Sequence, residues 1–198
     1  MFQLFDPLMY AHSIGPAQVA IGGLENPMPF IEVVSYSNDI GGYEGKPVCS
    51  PAKAFHVALF RTETGAIAKC ANGYIFAREP NRLIIQVTGR LGTYECYQFG
   101  KPGRLFIARG HNINMSKHRR GKGQKIDSNE LNKIIPPVAG LHKGSSTRIM
   151  LDWVKSIISK KKPTISAKIG ANFCLAGIAA SKSSNSGGKP MKIKTYSE

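Results

Sequence analysis

Residues 56–125 read HVALFRTETGAIAKCANGYIFAREPNRLIIQVTGRLGTYECYQFGKPGRLFIARGHNINMSKHRRGKGQK. The first part of this stretch alternates short runs of β-branched and aromatic residues with glycine-containing turns. Phe55–Phe60 is followed by a Thr62-Glu-Thr-Gly65 turn. Ala66–Ala71 ends at Asn72-Gly73, a strong hairpin pair. Tyr74–Arg78, Arg82–Thr88, Thr93–Phe99 and Arg104–Arg109 follow, separated by Glu79-Pro-Asn81, Gly89-Arg-Leu-Gly92 and Gly100-Lys-Pro-Gly103. Five or six short strands in so few residues predict a mainly β fold, a small SH3-like antiparallel barrel.

Outward from the barrel, the two ends of the chain differ in kind. Residues 1–45 are apolar and rich in turns, with one convincing strand at Pro29–Tyr36, and read as an N-terminal extension. The barrel is placed at 46–116. Residues 117–198 read as a basic loop, a short helix and an extended C-terminal tail. The one good helix is Ser145–Ser159, where Ile149, Trp153 and Ile157 share a face expected to pack on the protein. Lys160-Lys161-Lys162-Pro163 ends it.

Charge follows the same division. The chain carries 27 lysines and arginines against 12 carboxylates, a formal net charge of +15. Residues 1–116 hold 10 basic and 8 acidic side chains, whereas 117–198 hold 17 and 4. A nearly neutral body with a cationic arm is the arrangement of a nucleic-acid binder, in which the arm neutralises phosphates. The expected phosphate contacts are Arg61, Lys69, Arg78 and Arg109 on the barrel, and His111, Lys117, His118, Arg119, Arg120, Lys122 and Lys125 in the loop. Lys160, Lys161, Lys162, Lys168, Lys182 and Lys189 follow in the tail. Tyr74, Tyr94, Tyr97, Phe99 and Phe106 offer rings for base stacking or for the barrel core.

Other chemistries find little footing. Cys49, Cys70, Cys96 and Cys174 form no C-x-x-C pair, so neither a zinc site nor a secreted disulfide framework is expected. No apolar run reaches the roughly 20 residues of a membrane span, and the N-terminus reads as neither a signal nor a transit peptide. There is no H-E-x-x-H, P-loop or nucleophile elbow. A metal-dependent nuclease built on His111, Asn112 and His118 lacks carboxylates nearby, since residues 100–126 contain none. No catalytic residue, metal, cofactor, small-molecule substrate or membrane partner is expected.

Several motifs in order resemble a known family. Gly65-Ala-Ile-Ala-Lys-Cys-Ala-Asn-Gly73, the strands Arg82–Val87 and Thr93–Phe99, the basic segment ending Gly121-Lys-Gly123, Trp153, Lys162-Pro-Thr-Ile-Ser166 and Ser183–Pro190 resemble the C-terminal half of the large-subunit ribosomal protein L two family. The family's histidine-containing loop reads Ser184-Asn-Ser-Gly-Gly188 here, and its first domain is missing. The resemblance implies a non-enzymatic structural protein of a divergent, mitochondrial ribosome. Its partners would be large-subunit rRNA and other ribosomal proteins, including a separate chain carrying the absent domain. A viral or phage nucleoprotein, or a nuclease using the His111–His118 loop, is the alternative.

Overall fold

The computed structural model describes residues 5–38, 55–73, 85–89, 92–96, 103–107, 124–125, 138–140 and 144–196. In chain order its elements are α1 (Phe5–Gly22), β1 (Phe30–Asn38), β2 (Phe55–Thr62), β3 (Ile67–Gly73), β4 (Ile85–Thr88), β5 (Gly92–Cys96), β6 (Arg104–Ile107) and β7 (Gln124–Lys125). Then come α2 (Ser145–Ser159), α3 (Ala167–Asn185) and β8 (Met191–Lys192). They fall into two compact units, Met1–Ile75 with Ser156–Glu198, and Phe76–Lys155.

The expected barrel is not what forms. The strands are divided between two open four-stranded sheets, ordered β3-β2-β1-β8 and β4-β5-β6-β7, and every pair is antiparallel. Each sheet keeps two edges, so neither closes. The fold is mixed α/β, not mainly β. Strand positions were legible; their partners were not. β2 pairs with β1 from the supposed extension and with β3, while β1 takes β8 from the supposed tail on its other side.

In the first unit the chain uses one face of the sheet. Along β2, His56, Ala58, Phe60 and Thr62 are buried, while the side chains between them are not. Phe30 and Phe60 stack across the β1–β2 pair with ring centroids 4.7 Å apart. Over this face lie α1 and α3, contributing Ile14 and the small residues Ala176, Ala179 and Ala180 to the same core as Val33, Cys70 and Ile193. Residues 167–185 are therefore a packed helix, not an extended tail. Its alanines at i, i+3 and i+4 present a flat stripe that lets backbone approach backbone. The Ser-, Gly- and Lys-rich composition around its one apolar patch, Ala171 to Ala180, made the segment look like a tail.

The helix ends obey local rules. Ser166 caps α3 by accepting from the Ile169 N–H at 3.3 Å. At the other end Gly187 takes φ 68°, and the Gly188 N–H reaches the Ser183 carbonyl at 2.9 Å, a Schellman closure. α2 closes in the same way with Lys160 in the left-handed position, φ 52°, and the Lys161 N–H on the Ser156 carbonyl at 3.0 Å. The Lys160–Lys162 run, the Lys162–Ser166 segment and the Ser183–Pro190 loop are thus the stop of one helix and the start and stop of the next.

One contact ties the α3 end to the sheet. β8 covers β1 only at Glu32 and Val33. Further along that edge, the Ser35 N–H donates to the Ser183 hydroxyl at 2.9 Å, and that hydroxyl donates to the Lys189 carbonyl at 2.7 Å. Ser37 and Ser184 also bond through their hydroxyls. Serines of a helix thus stand in for the missing strand. Ser183 is fully buried, so removing its hydroxyl leaves a donor and an acceptor unmet. Ser183→Ala should cost about 1–3 kcal/mol, read as a lower urea midpoint; an unchanged midpoint would mean that the edge needs no such support.

Candidate functional site

Of the residues expected to hold phosphates, eight lie among the described residues of the first unit. Arg61 lies on the outward face of β2, where its guanidinium holds the Glu32 carboxylate at 2.5 Å, and Lys192 approaches the other oxygen of Glu32 at 3.4 Å. Lys69 is exposed on β3, and Lys160, Lys161, Lys162, Lys168, Lys182 and Lys189 are exposed around the ends of α2 and α3. Arg78, Arg109, His111, Lys117, His118, Arg119, Arg120 and Lys122 lie outside the described residues, as do Tyr74, Tyr97 and Phe99. Lys125 is placed in β7 by its backbone. Tyr94 and Phe106 are half-buried, and the Tyr94 ring lies against Gly103.

The outward face of the first sheet mixes chemistries. Tyr36, Leu59 and Ile67 are exposed there beside the Glu32–Arg61–Lys192 cluster. The bonds from Arg61, and after it from Lys192, hold the Glu32 carboxyl below its ordinary 4.5. A depressed carboxylate stabilises the fold above its unfolded pKa, and the contribution is lost as pH falls through the folded value. Glu32→Gln should therefore lower Tm at neutral pH, and the gap to the unsubstituted protein should close as pH drops below 4.5. A gap of constant size would contradict the ion pair.

The other exposed chemistry lies on α1. The residues of α1 that face the core are Ile14, Gln18 and, in part, Ala17 and Ile21. Gly15 leaves room for the Phe173 ring of α3, 3.3 Å from where a Cβ would stand. His12 is on the open side. Among the described residues it is the exposed imidazole, since His56 is buried. Next to it, the Ser13 hydroxyl bonds the Cys70 thiol of β3, which burial pushes up to about 11, so at neutral pH the sulfur stays protonated. One turn on, Pro16 sits inside the helix. It has no N–H, so the His12 carbonyl cannot receive the bond that position 16 of a regular helix would give. An imidazole is thus held out from a helix turn that is tied to the sheet on one side and interrupted on the other. Composition gave no signal for it, because a lone histidine in an apolar segment carries no motif.

No family model and no curated protein matches the chain. Solved structures do. It is similar to a levoglucosan dehydrogenase in complex with NADH at 16% identity and TM-score 0.68, covering 95% of this chain and 50% of that one. Aldose-aldose oxidoreductase from Caulobacter crescentus matches at 13% and 0.59, covering 93% and 46%. Myo-inositol 2-dehydrogenase from Lactobacillus plantarum matches at 16% and 0.54, covering 85% and 44%. The fold is one found in oxidoreductases. The chain spans about half the length of the solved structures it matches.

These matches overturn the ribosomal resemblance and what followed from it: the non-enzymatic role in translation and the rRNA and ribosomal-protein partners. The motifs behind it are turns and helix ends, which any α/β protein needs and whose order therefore carries little family information. A dinucleotide site of the doubly wound kind needs a parallel strand, a G-x-G-x-x-G turn and a helix. All described strand pairs are antiparallel, and no G-x-G-x-x-G occurs in the 198 residues. The described strand pairs and the turns of the sequence are not those of a doubly wound dinucleotide site.

Proposed function

We propose that this chain is the substrate-side half of an oxidoreductase that acts on a polyhydroxylated small molecule, a sugar or cyclic polyol. The observation that carries the reading is an antiparallel α/β fold matching half of each of several sugar and polyol oxidoreductases, in a chain without a dinucleotide-binding turn. The dinucleotide would be held by the other half. On this side the work is to bind and orient the substrate and to move a proton. Oxidation of a secondary alcohol releases the hydroxyl proton, and an imidazole is the side chain best matched to accept it near neutral pH. His12 is the residue to which we assign that role, with Pro16 keeping its helix turn irregular.

Two measurements check the reading. Saturation-transfer NMR on the chain alone should detect levoglucosan or myo-inositol, while NADH titrated against it shows no fluorescence enhancement. In the complete enzyme His12→Ala should lower kcat by about 10²–10⁴-fold with little change in KM. Micromolar NADH binding without polyol binding, or full activity in His12→Ala, would refute it.

A further inference from the structure

We infer that Ser13 and Cys70 are positioning residues for His12: the bond between their side chains sets the direction in which the imidazole leaves α1. The inference rests on the reading of His12 as the proton acceptor. It begins with what the backbone leaves unset. In a regular helix the N–H of residue 16 would bond the His12 carbonyl and fix that turn. Pro16 has no N–H to give, and a proline ring crowds the carbonyl four residues back. Gly15, just before it, has no Cβ and restrains its own backbone little. The turn that carries His12 therefore lacks one of its own hydrogen bonds and is held from outside.

The contacts that hold it all lie within the first unit. Ile14 is fully buried in the core shared by the helices and the sheet. Gly15 admits the Phe173 ring of α3, whose Cε2 lies 3.3 Å from where a Cβ would stand. These apolar contacts set how deep the turn sits, and they have no direction of their own. The Ser13 hydroxyl bonds the Cys70 thiol of β3, and a hydrogen bond is directional. His12 and Ser13 are about 100° apart around the helix axis. Fixing Ser13 against β3 therefore fixes the angle at which the His12 side chain leaves. The anchor is itself held. Cys70 is 2% exposed and pairs with Ala58 of β2, which pairs in turn with Ser35 of β1, the residue bonded to Ser183 of α3. One row of the sheet thus carries the ties of both helices. Burial pushes the Cys70 thiol up to about 11, so the tie joins neutral groups throughout the range in which an imidazole changes charge.

The test is a double-mutant cycle in the complete enzyme, with NAD and either myo-inositol or levoglucosan as the probe substrate. Ser13→Ala and Cys70→Ala should each lower kcat about tenfold with KM within about twofold, because a displaced acceptor slows the step without loosening the substrate. The double variant should be no slower than either single one, since both remove the same bond. Cys70→Ser keeps a partner for Ser13 and should recover most of kcat. A second readout does not depend on turnover: the NMR signals of the isotope-labelled His12 ring, assigned by their loss in His12→Ala. They should be single and narrow in the unsubstituted protein and in Cys70→Ser, and broadened or shifted in Ser13→Ala and Cys70→Ala. Circular dichroism checks that each variant is folded, and if Cys70→Ala is not, Ser13→Ala and Cys70→Ser decide alone. Unchanged kcat in folded Ser13→Ala, a loss confined to KM, multiplied effects in the double variant, or a His12 ring that does not respond would overturn the inference. The two proposals fail separately. Full activity in His12→Ala removes the base, whereas unmoved His12 ring signals in Ser13→Ala remove the tie.

Discussion

The first unit depends on how closely α3 can approach β1. A helix with leucines on its inner face would stand off from the sheet by a side-chain length. Ala176, Gly177, Ala179 and Ala180 remove that spacing, and at the end of the same stripe Ser183 comes near enough for its hydroxyl to meet the Ser35 N–H. Packing and hydrogen bonding are therefore one constraint. The apolar stripe sets the depth at which the serines can work, and the serines replace the strand bonds that β8 is too short to provide. Gly188 belongs to the same constraint: at φ 83° it turns the chain toward β8 directly against the Tyr36 ring, where a Cβ would overlap it.

The consequence for the sheet is one-sidedness. Everything large that β1, β2 and β3 bury goes to the α1–α3 side, and the core there is small, ten buried apolar residues among those described. The opposite face keeps Tyr36, Leu59 and Ile67 beside an ion-paired cluster. In this unit exposed groups are accordingly left to the sheet's open side and to the outer edge of α1 with His12.

Local features were legible in the sequence, and the pairing that turns them into a fold was not. β-branched runs bounded by Gly and Asn-Gly located β1 to β6 to within a few residues, the spacing of Ile149, Trp153 and Ile157 located α2, and β7 was read as part of the basic loop. Three things hid the rest. α1 carries Gly15 and an internal Pro16, residues that weaken any helix reading, and its stability comes from burial of Ile14 and Gln18 under tertiary packing. α3 buries mostly alanines, so its periodicity carries little hydrophobic contrast. Of the basic residues, Lys160–Lys162 follow the end of α2 and Arg61 holds Glu32. His12 was visible only once a helix placed it on a surface.

Native-state hydrogen exchange, resolved by residue, tests the central claim most directly. If α3 is locked onto β1 through its alanine stripe and Ser183, the amides of 176–183 should exchange in the same slow class as those of Val33, Ser35, Ala58 and Phe60, opening only with the whole unit. Exchange of 176–183 at the rate of a free peptide, with the β1–β2 amides still protected, would show that the helix is an independent tail and that the interlock does not hold the fold.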